Sequence, residues 1–213
     1  MLVVGVTGGV ASGKTTVSHI FQEEGAYLID ADQIARELVQ PHTPMWRELI
    51  RVFGKAVLGE DESIDRRQLA AIVFSNPRQR VLLERMLHPE IGKEITRRIE
   101  AIRKKDLEAV VVVDAALLVE TGAYRRMDKL IVVTATEAQQ KERLKKRTGA
   151  AEKRAEAIIS SQTALEEKLK VADFIIRNEG TVAETRRRAQ EIFHELKLMA
   201  RHTRNKTAGS ETG

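Results

Sequence analysis

Leu2-Val3-Val4-Gly5-Val6-Thr7-Gly8-Gly9-Val10-Ala11-Ser12-Gly13-Lys14-Thr15-Thr16-Val17 is the stretch that decides the fold. Its opening run is apolar and β-branched without polar alternation, which predicts a strand buried on both faces, as in a parallel sheet. Val17, Ile20 and Phe21 then recur at helical spacing until Gly25, which predicts a helix and its stop. Between the two lies Gly8 to Thr15, which satisfies the pattern G-x-x-x-x-G-K-[ST] in the strand-to-helix setting that this pattern requires. At ordinary residue frequencies a chance match in a chain this long has a probability on the order of 1%, so the loop is read as a phosphate cradle. Gly8, Gly9 and Gly13 let backbone N–H groups close around phosphate oxygens, with Ala11 and Ser12 between them. Lys14 reaches the β and γ phosphates, Thr15 offers a hydroxyl to Mg²⁺, and Thr16 continues the helix start whose free amides and dipole face the anion.

Four further runs extend the sheet: Tyr27-Leu28-Ile29, Val110-Val111-Val112-Val113, Leu130-Ile131-Val132-Val133 and Phe174-Ile175-Ile176. Helical segments separate all five, so the fold class is α/β with helices flanking a parallel sheet. About 80 residues between the second and third runs exceed what one crossover helix needs, which predicts an inserted helical lobe. Within it, Asp65 and Asn76-Pro77 predict capped helix starts, and Ile91, Ile95, Ile99 and Ile102 predict a helix beginning at Pro89 and packing on the sheet. Glu137 to Lys146 and Glu152 to Lys170 read as a polar helical pair of the kind that forms a lid. The expected organisation is one domain over 1–200, its core at about 1–30, 108–135 and 171–200, its lobe at 31–107 and its lid at 136–170. From Arg201 to Gly213 the chain is polar and nonperiodic, which predicts a disordered tail.

Composition narrows the function. No cysteine among 213 residues excludes disulfides, thiolate metal sites and a cysteine nucleophile. The formal charge of +5 calls for an anionic partner. With aromatic residues at 4% there are few platforms for base stacking, so a small polyanion is favoured over nucleic acid. The first apolar run is too short for a signal peptide or membrane span, and a cytoplasmic protein without membrane partner is expected. Oligomeric state leaves no signal.

Ligands of such sheets bind beyond the carboxyl ends of the strands, so acids there come first. Asp30-Ala31-Asp32-Gln33 reads as a capping box, with Asp30 as the cap and Asp32 projecting from the first helical turn toward the rim. Asp114 ends the valine run and is expected to be the Mg²⁺ partner of the loop. Arg143 and Arg147 share a face of the first lid helix at i, i+4 and are candidates to cover the γ-phosphate.

These residues carry a family resemblance. Val6 to Val17 resembles the phosphate loop of bacterial dephospho-coenzyme A kinases, including its Thr-Gly-Gly lead-in, and Ile29-Asp30-Ala31-Asp32-Gln33-Ile34-Ala35-Arg36 resembles their second signature. Phe53-Gly54, His88-Pro89, Leu117 to Gly122, Gln140 with Arg143, Ser161-Gln162, and Ala172-Asp173 with Asn178 and Gly180 extend the likeness to about residue 196. The resemblance implies a P-loop kinase fold with a five-stranded parallel core, a lobe for the coenzyme and a lid. It implies ATP-dependent phosphorylation of the ribose 3′-hydroxyl of dephospho-coenzyme A, the last step of coenzyme A synthesis. Asp32 is then the residue that activates the acceptor, and His88 gains a role in binding it. Ala116 stands where that family usually carries proline, and no acid follows Arg147. A kinase for a nucleoside monophosphate shares the loop and lid and remains open. A GTP-dependent switch does not, because Asn205-Lys206-Thr207-Ala208 lacks the acid that reads guanine and Leu117 replaces the glycine after the magnesium aspartate.

Overall fold

The structure is a computed structural model that describes residues 1–148 and 165–209. Among these residues the strands are β1 (Leu2–Gly8), β2 (Tyr27–Asp30), β3 (Val110–Asp114), β4 (Lys129–Thr134) and β5 (Phe174–Arg177). The helices are α1 (Lys14–Glu23), α2 (Ala31–Leu38), α3 (Pro44–Phe53), α4 (Arg66–Ser75), α5 (Pro77–Arg103), α6 (Glu137–Thr148), α7 (Leu165–Lys170) and α8 (Val182–Gly209). The five strands form one parallel sheet in the order β2-β3-β1-β4-β5. Strand β1 therefore lies at the centre. Its onward connection leaves toward β2 while that of β4 leaves toward β5, so the chain diverges between β1 and β4, where open α/β sheets hold ligands.

The chain divides into two compact units, Met1–Ile29 with Ile99–Gly213, and Asp30–Arg98. In the sheet unit, alternation along the strands sends Val4, Val6, Val112, Ile131 and Val133 to one face, against Ile20 and Phe21 of α1 and Ile192, Phe193 and Leu196 of α8. Phe21 and Phe193 meet at a centroid distance of 5.8 Å. Leu130 and Val132 point the other way, onto Leu118, Tyr124, Met127 and Leu169. Both faces are covered, as the unbroken apolar runs predicted.

The helical unit has a smaller core, centred on Leu49, Val57 and Ile64, with half-buried Trp46, Phe53, Leu69 and Met86 around it. Its helix starts follow their caps: Asp30 Oδ1 accepts from the amides of Asp32 and Gln33 at 2.7 and 3.0 Å, and Asp65 Oδ1 from Arg67 and Gln68 at 2.8 and 3.1 Å. Thr43 caps α3, whose first residue is Pro44.

Three expectations change. Helix α5 does not begin at Pro89 but runs through it from Pro77, where Asn76 Oδ1 accepts from Arg78 N at 3.0 Å. A proline in a helix forfeits one hydrogen bond, and the flanking turns, rich in Leu, Glu, Arg and Ile, outweigh that local loss. The isoleucine stripe that follows is only half-buried, and α5 contains no buried residue. The tail also differs, because α8 continues to Gly209. Once nucleated by its packed N-terminal half, a helix propagates through Arg, Lys and Ala without needing an apolar face. Of the two lid helices, α6 is present as expected, while 149–164 lies outside the described residues. No described helix is long and apolar enough to cross a membrane.

Candidate active site

The loop after β1 is shaped by contacts that only glycine permits. A Cβ on Gly8 would strike the Val133 carbonyl, and Gly13, at φ 94°, lies so close to the Asn178 carboxamide that any side chain would collide with it. Ala11 is held in the left-handed region at φ 55°, a strained state that persists where surrounding structure imposes it. Ser12 N donates to Gly9 O at 3.1 Å and closes the turn. Gly13 begins α1 without a side-chain cap, so the helix start is left to serve an external anion.

The functional groups gather around this loop. Lys14 Nζ forms an ion pair with Asp114 Oδ1, joining the start of α1 to the end of β3. Asp114 is 3% exposed, and a carboxylate buried that deeply is retained only with a charged partner. Thr15 and Thr16 lie on the exposed rim of the first turn of α1. Arg143, on α6, donates from Nη1 to Ser12 O at 3.4 Å and from Nη2 to Asn178 O at 3.0 Å. Its guanidinium thus rests on the carbonyls of Ser12 and Asn178. The side chain of Arg147 lies outside the described residues. The donor set of Thr15 hydroxyl and Asp114 carboxylate consists of hard oxygens and fits Mg²⁺, which takes few protein ligands and fills the rest with water and phosphate.

Asp32 and His88 belong to the helical unit. Asp32 is exposed in the first turn of α2, its amide pinned by Asp30. The Asp30 carboxylate is taken up by the cap and by Arg36 at 3.8 Å. His88 is half-buried in the middle of α5. The same unit holds a cleft of about 450 Å³, floored by Ile34, Leu38 and Met45 and rimmed by Glu37, Glu48 and Glu94. Paired hydrogen bonds from Arg97 and then Arg98 pull the Glu94 carboxyl down to about 2.

Sequence reading gave no role to two groups. Asn178, directly after β5, donates from Nδ2 to Ser12 O at 2.9 Å and accepts from Thr185 Oγ1 at 2.9 Å. The rule that singled out Asp32 and Asp114, a polar residue ending an apolar run, applies to it equally. Lys168 on α7 is 1% exposed and reaches Glu120, Ala116 and Gly8. Nothing in Leu165-Glu166-Glu167-Lys168-Leu169-Lys170 marks which lysine turns inward.

Comparison with known proteins places this geometry in a lineage. Residues 2–184 match the family model of dephospho-CoA kinase. The chain is 41% identical over 198 residues to a dephospho-CoA kinase of Bacillus thuringiensis subsp. konkukian, covering 93% of this chain and 98% of that protein. The solved dephospho-CoA kinase from Campylobacter jejuni superposes with a TM-score of 0.69 at 31% identity, over 92% of this chain and 96% of that one. A shikimate kinase from Bacteroides thetaiotaomicron, at a TM-score of 0.50 and 17% identity over 92% of this chain and 98% of that one, shares the fold alone. With residues 2–184 matching that family's model and relatives 41% identical along nearly the whole length, the chain belongs to the dephospho-CoA kinase family.

Proposed function

We infer that this chain transfers the γ-phosphoryl group of ATP to the ribose 3′-hydroxyl of dephospho-coenzyme A, giving ADP and coenzyme A. The observation that carries this reading is the Lys14–Asp114 pair at the mouth of a strained, glycine-shaped loop, within a chain of this family.

The loop amides and Lys14 hold the β and γ phosphates in line with the acceptor. Thr15 and Asp114 are the residues that would hold Mg²⁺, which, when bound, neutralises charge on the β and γ oxygens. Asp32 orients the 3′-hydroxyl. As the bond from the γ phosphorus to its bridging oxygen breaks and the bond to the 3′ oxygen forms, the hydroxyl proton passes to the Asp32 carboxylate. Such a transition state is loose, so alignment matters more than basicity, and an exposed carboxylate suffices. Arg143 and Arg147 balance charge on the transferred group. His88 contributes to holding the acceptor. The cleft of the helical unit suits the uncharged, extended arm of the acceptor, because its glutamate rim repels a pyrophosphate.

The test is ADP release by the purified chain with ATP and Mg²⁺, with dephospho-coenzyme A present or omitted. Release that requires this acceptor is expected. Equal release without it, or release driven only by a nucleoside monophosphate, contradicts the reading.

A further inference from the structure

We propose that Lys168 is a positioning residue for the phosphate loop, its buried ammonium tethering the carbonyl of Gly8 to the segment that follows β3. The proposal rests on the reading that this loop binds ATP, and it concerns how the loop keeps its shape.

Among the described residues, the charged side chains that are fully buried are Asp114 and Lys168. Both border the loop. The Lys168 ammonium has three N–H donors, and three acceptors surround it: Glu120 Oε1 at 2.8 Å, Ala116 O at 3.3 Å and Gly8 O at 3.5 Å. They come from two stretches of chain, the end of β1 and the turn after β3. Gly8 is the last residue of β1, and Ala116 and Glu120 lie in the turn that Asp114 opens. The Ala116 carbonyl also accepts from Thr7 Oγ1 at 3.0 Å, so β1 and the post-β3 turn are joined twice within one small space. Both joints use the Ala116 carbonyl.

The consequence for the loop follows from peptide geometry. A trans peptide is planar, with its C=O and N–H pointing in opposite directions. Drawing the Gly8 carbonyl toward Lys168 therefore fixes the opposite direction of the Gly9 N–H, the first amide of the loop. At 3.5 Å the contact is long for a hydrogen bond, and its hold on the carbonyl is mainly that of a charge on a dipole in a dry environment. Stability alone does not explain such a group, since a buried ion pair is often no better than well-packed apolar residues of the same volume. Position does.

The experiment compares the full-length chain with Lys168→Met, Glu120→Gln and the double variant, reading melting temperature, ATP affinity by calorimetry, and kcat and KM for each substrate. Lys168→Met alone strands the Glu120 carboxylate and lowers the melting temperature. The double variant removes that stranded charge and is expected to melt close to the parent chain. Its kcat/KM for ATP nevertheless stays down by about tenfold to a hundredfold, the scale of a small misplacement, while KM for dephospho-coenzyme A changes less than about twofold. Glu120→Gln, which leaves the ammonium on both carbonyls, keeps ATP kinetics within about threefold of the parent. The proposal is overturned if the double variant handles ATP like the parent, if ATP kinetics recover in step with melting temperature, or if Glu120→Gln loses as much as the double. A parent chain that binds ATP tightly but phosphorylates nothing overturns the functional reading instead, and the tether is still read from the variants' ATP affinities.

Discussion

Strands β1, β3 and β4 of the sheet unit are buried along almost their whole length, whereas helices α4 and α5 of the helical unit contain no buried residue. The sheet unit fixes the phosphate machinery to strands sealed on both faces by α1, α8 and the turn after β3. The helical unit relies on a cluster around Leu49, Val57 and Ile64, wrapped in side chains that still touch water. Local opening free energy tracks buried apolar contact, so the phosphate side is expected to be the rigid partner and the acceptor side the adaptable one. Rigidity suits a group that must meet charge with preformed dipoles. Adaptability suits a surface that takes a long, flexible acceptor.

Four perturbations probe this contrast, from the largest expected effect to the smallest. Lys14→Ala removes, from the rigid side, the charge that pairs with Asp114 and is proposed to hold the transferred group. It is expected to lower turnover about a thousandfold, roughly 4 kcal/mol, with weaker ATP binding and little rearrangement of the sheet. Unchanged ATP kinetics would remove the loop from the mechanism. Asp32→Asn acts on the other side. Turnover should fall about a hundredfold, the low end for a group whose task is alignment, with ATP affinity by calorimetry held at the parent value.

Leu49→Ala tests adaptability directly. Leu49 is fully buried, yet its neighbours are half-exposed and free to close in, so the cost is expected near 2 kcal/mol, the low end for such truncations. Hydrogen exchange should quicken for amides within Asp30–Arg98 while β1, β3 and β4 keep their protection. Equal loss of protection in the strands would show that the two units unfold as one.

The smallest effect concerns Glu94. Its native carboxyl titrates at about 2, below the ordinary value of 4.5, because of Arg97 and then Arg98. The native state therefore binds this proton less readily than the unfolded chain. The stabilisation is complete above about pH 4.5 and is lost as pH falls toward about 2. Glu94→Gln should cost less than about 1 kcal/mol at neutral pH, and the difference in stability from the parent should vanish in acid. A pH-independent difference would mean that packing, not charge, accounts for it.

Much of this architecture was legible because its signals are local. Five apolar runs named five strands, three of them, β1, β3 and β4, buried on both faces and so without alternation, and Asp30, Asp65 and Asn76 announced helix starts through the amides they accept from. Pro89 misled because it was read without the roughly three helical turns before it, and Arg201 to Gly209 because the absence of an apolar face was taken as the absence of a helix. At the site, Lys14 and Asp114 were named from motif and strand end, and the structure pairs them. Arg143 was named as a candidate to cover the γ-phosphate, and its side chain rests on the carbonyls of Ser12 and Asn178. Lys168 was hidden because its inward turn depends on Glu120 and on two carbonyls from distant parts of the chain. That arrangement is tertiary, and no spacing within α7 encodes it.

The most direct test of the account is the fate of the phosphoryl group itself. Phosphorus NMR of a reaction containing the chain, ATP, Mg²⁺ and dephospho-coenzyme A should show one new phosphomonoester on the ribose 3′ oxygen for each ADP formed, its rate of appearance about a thousandfold lower with Lys14→Ala. Free phosphate without a new ester, or an ester at another position of the acceptor, would contradict it.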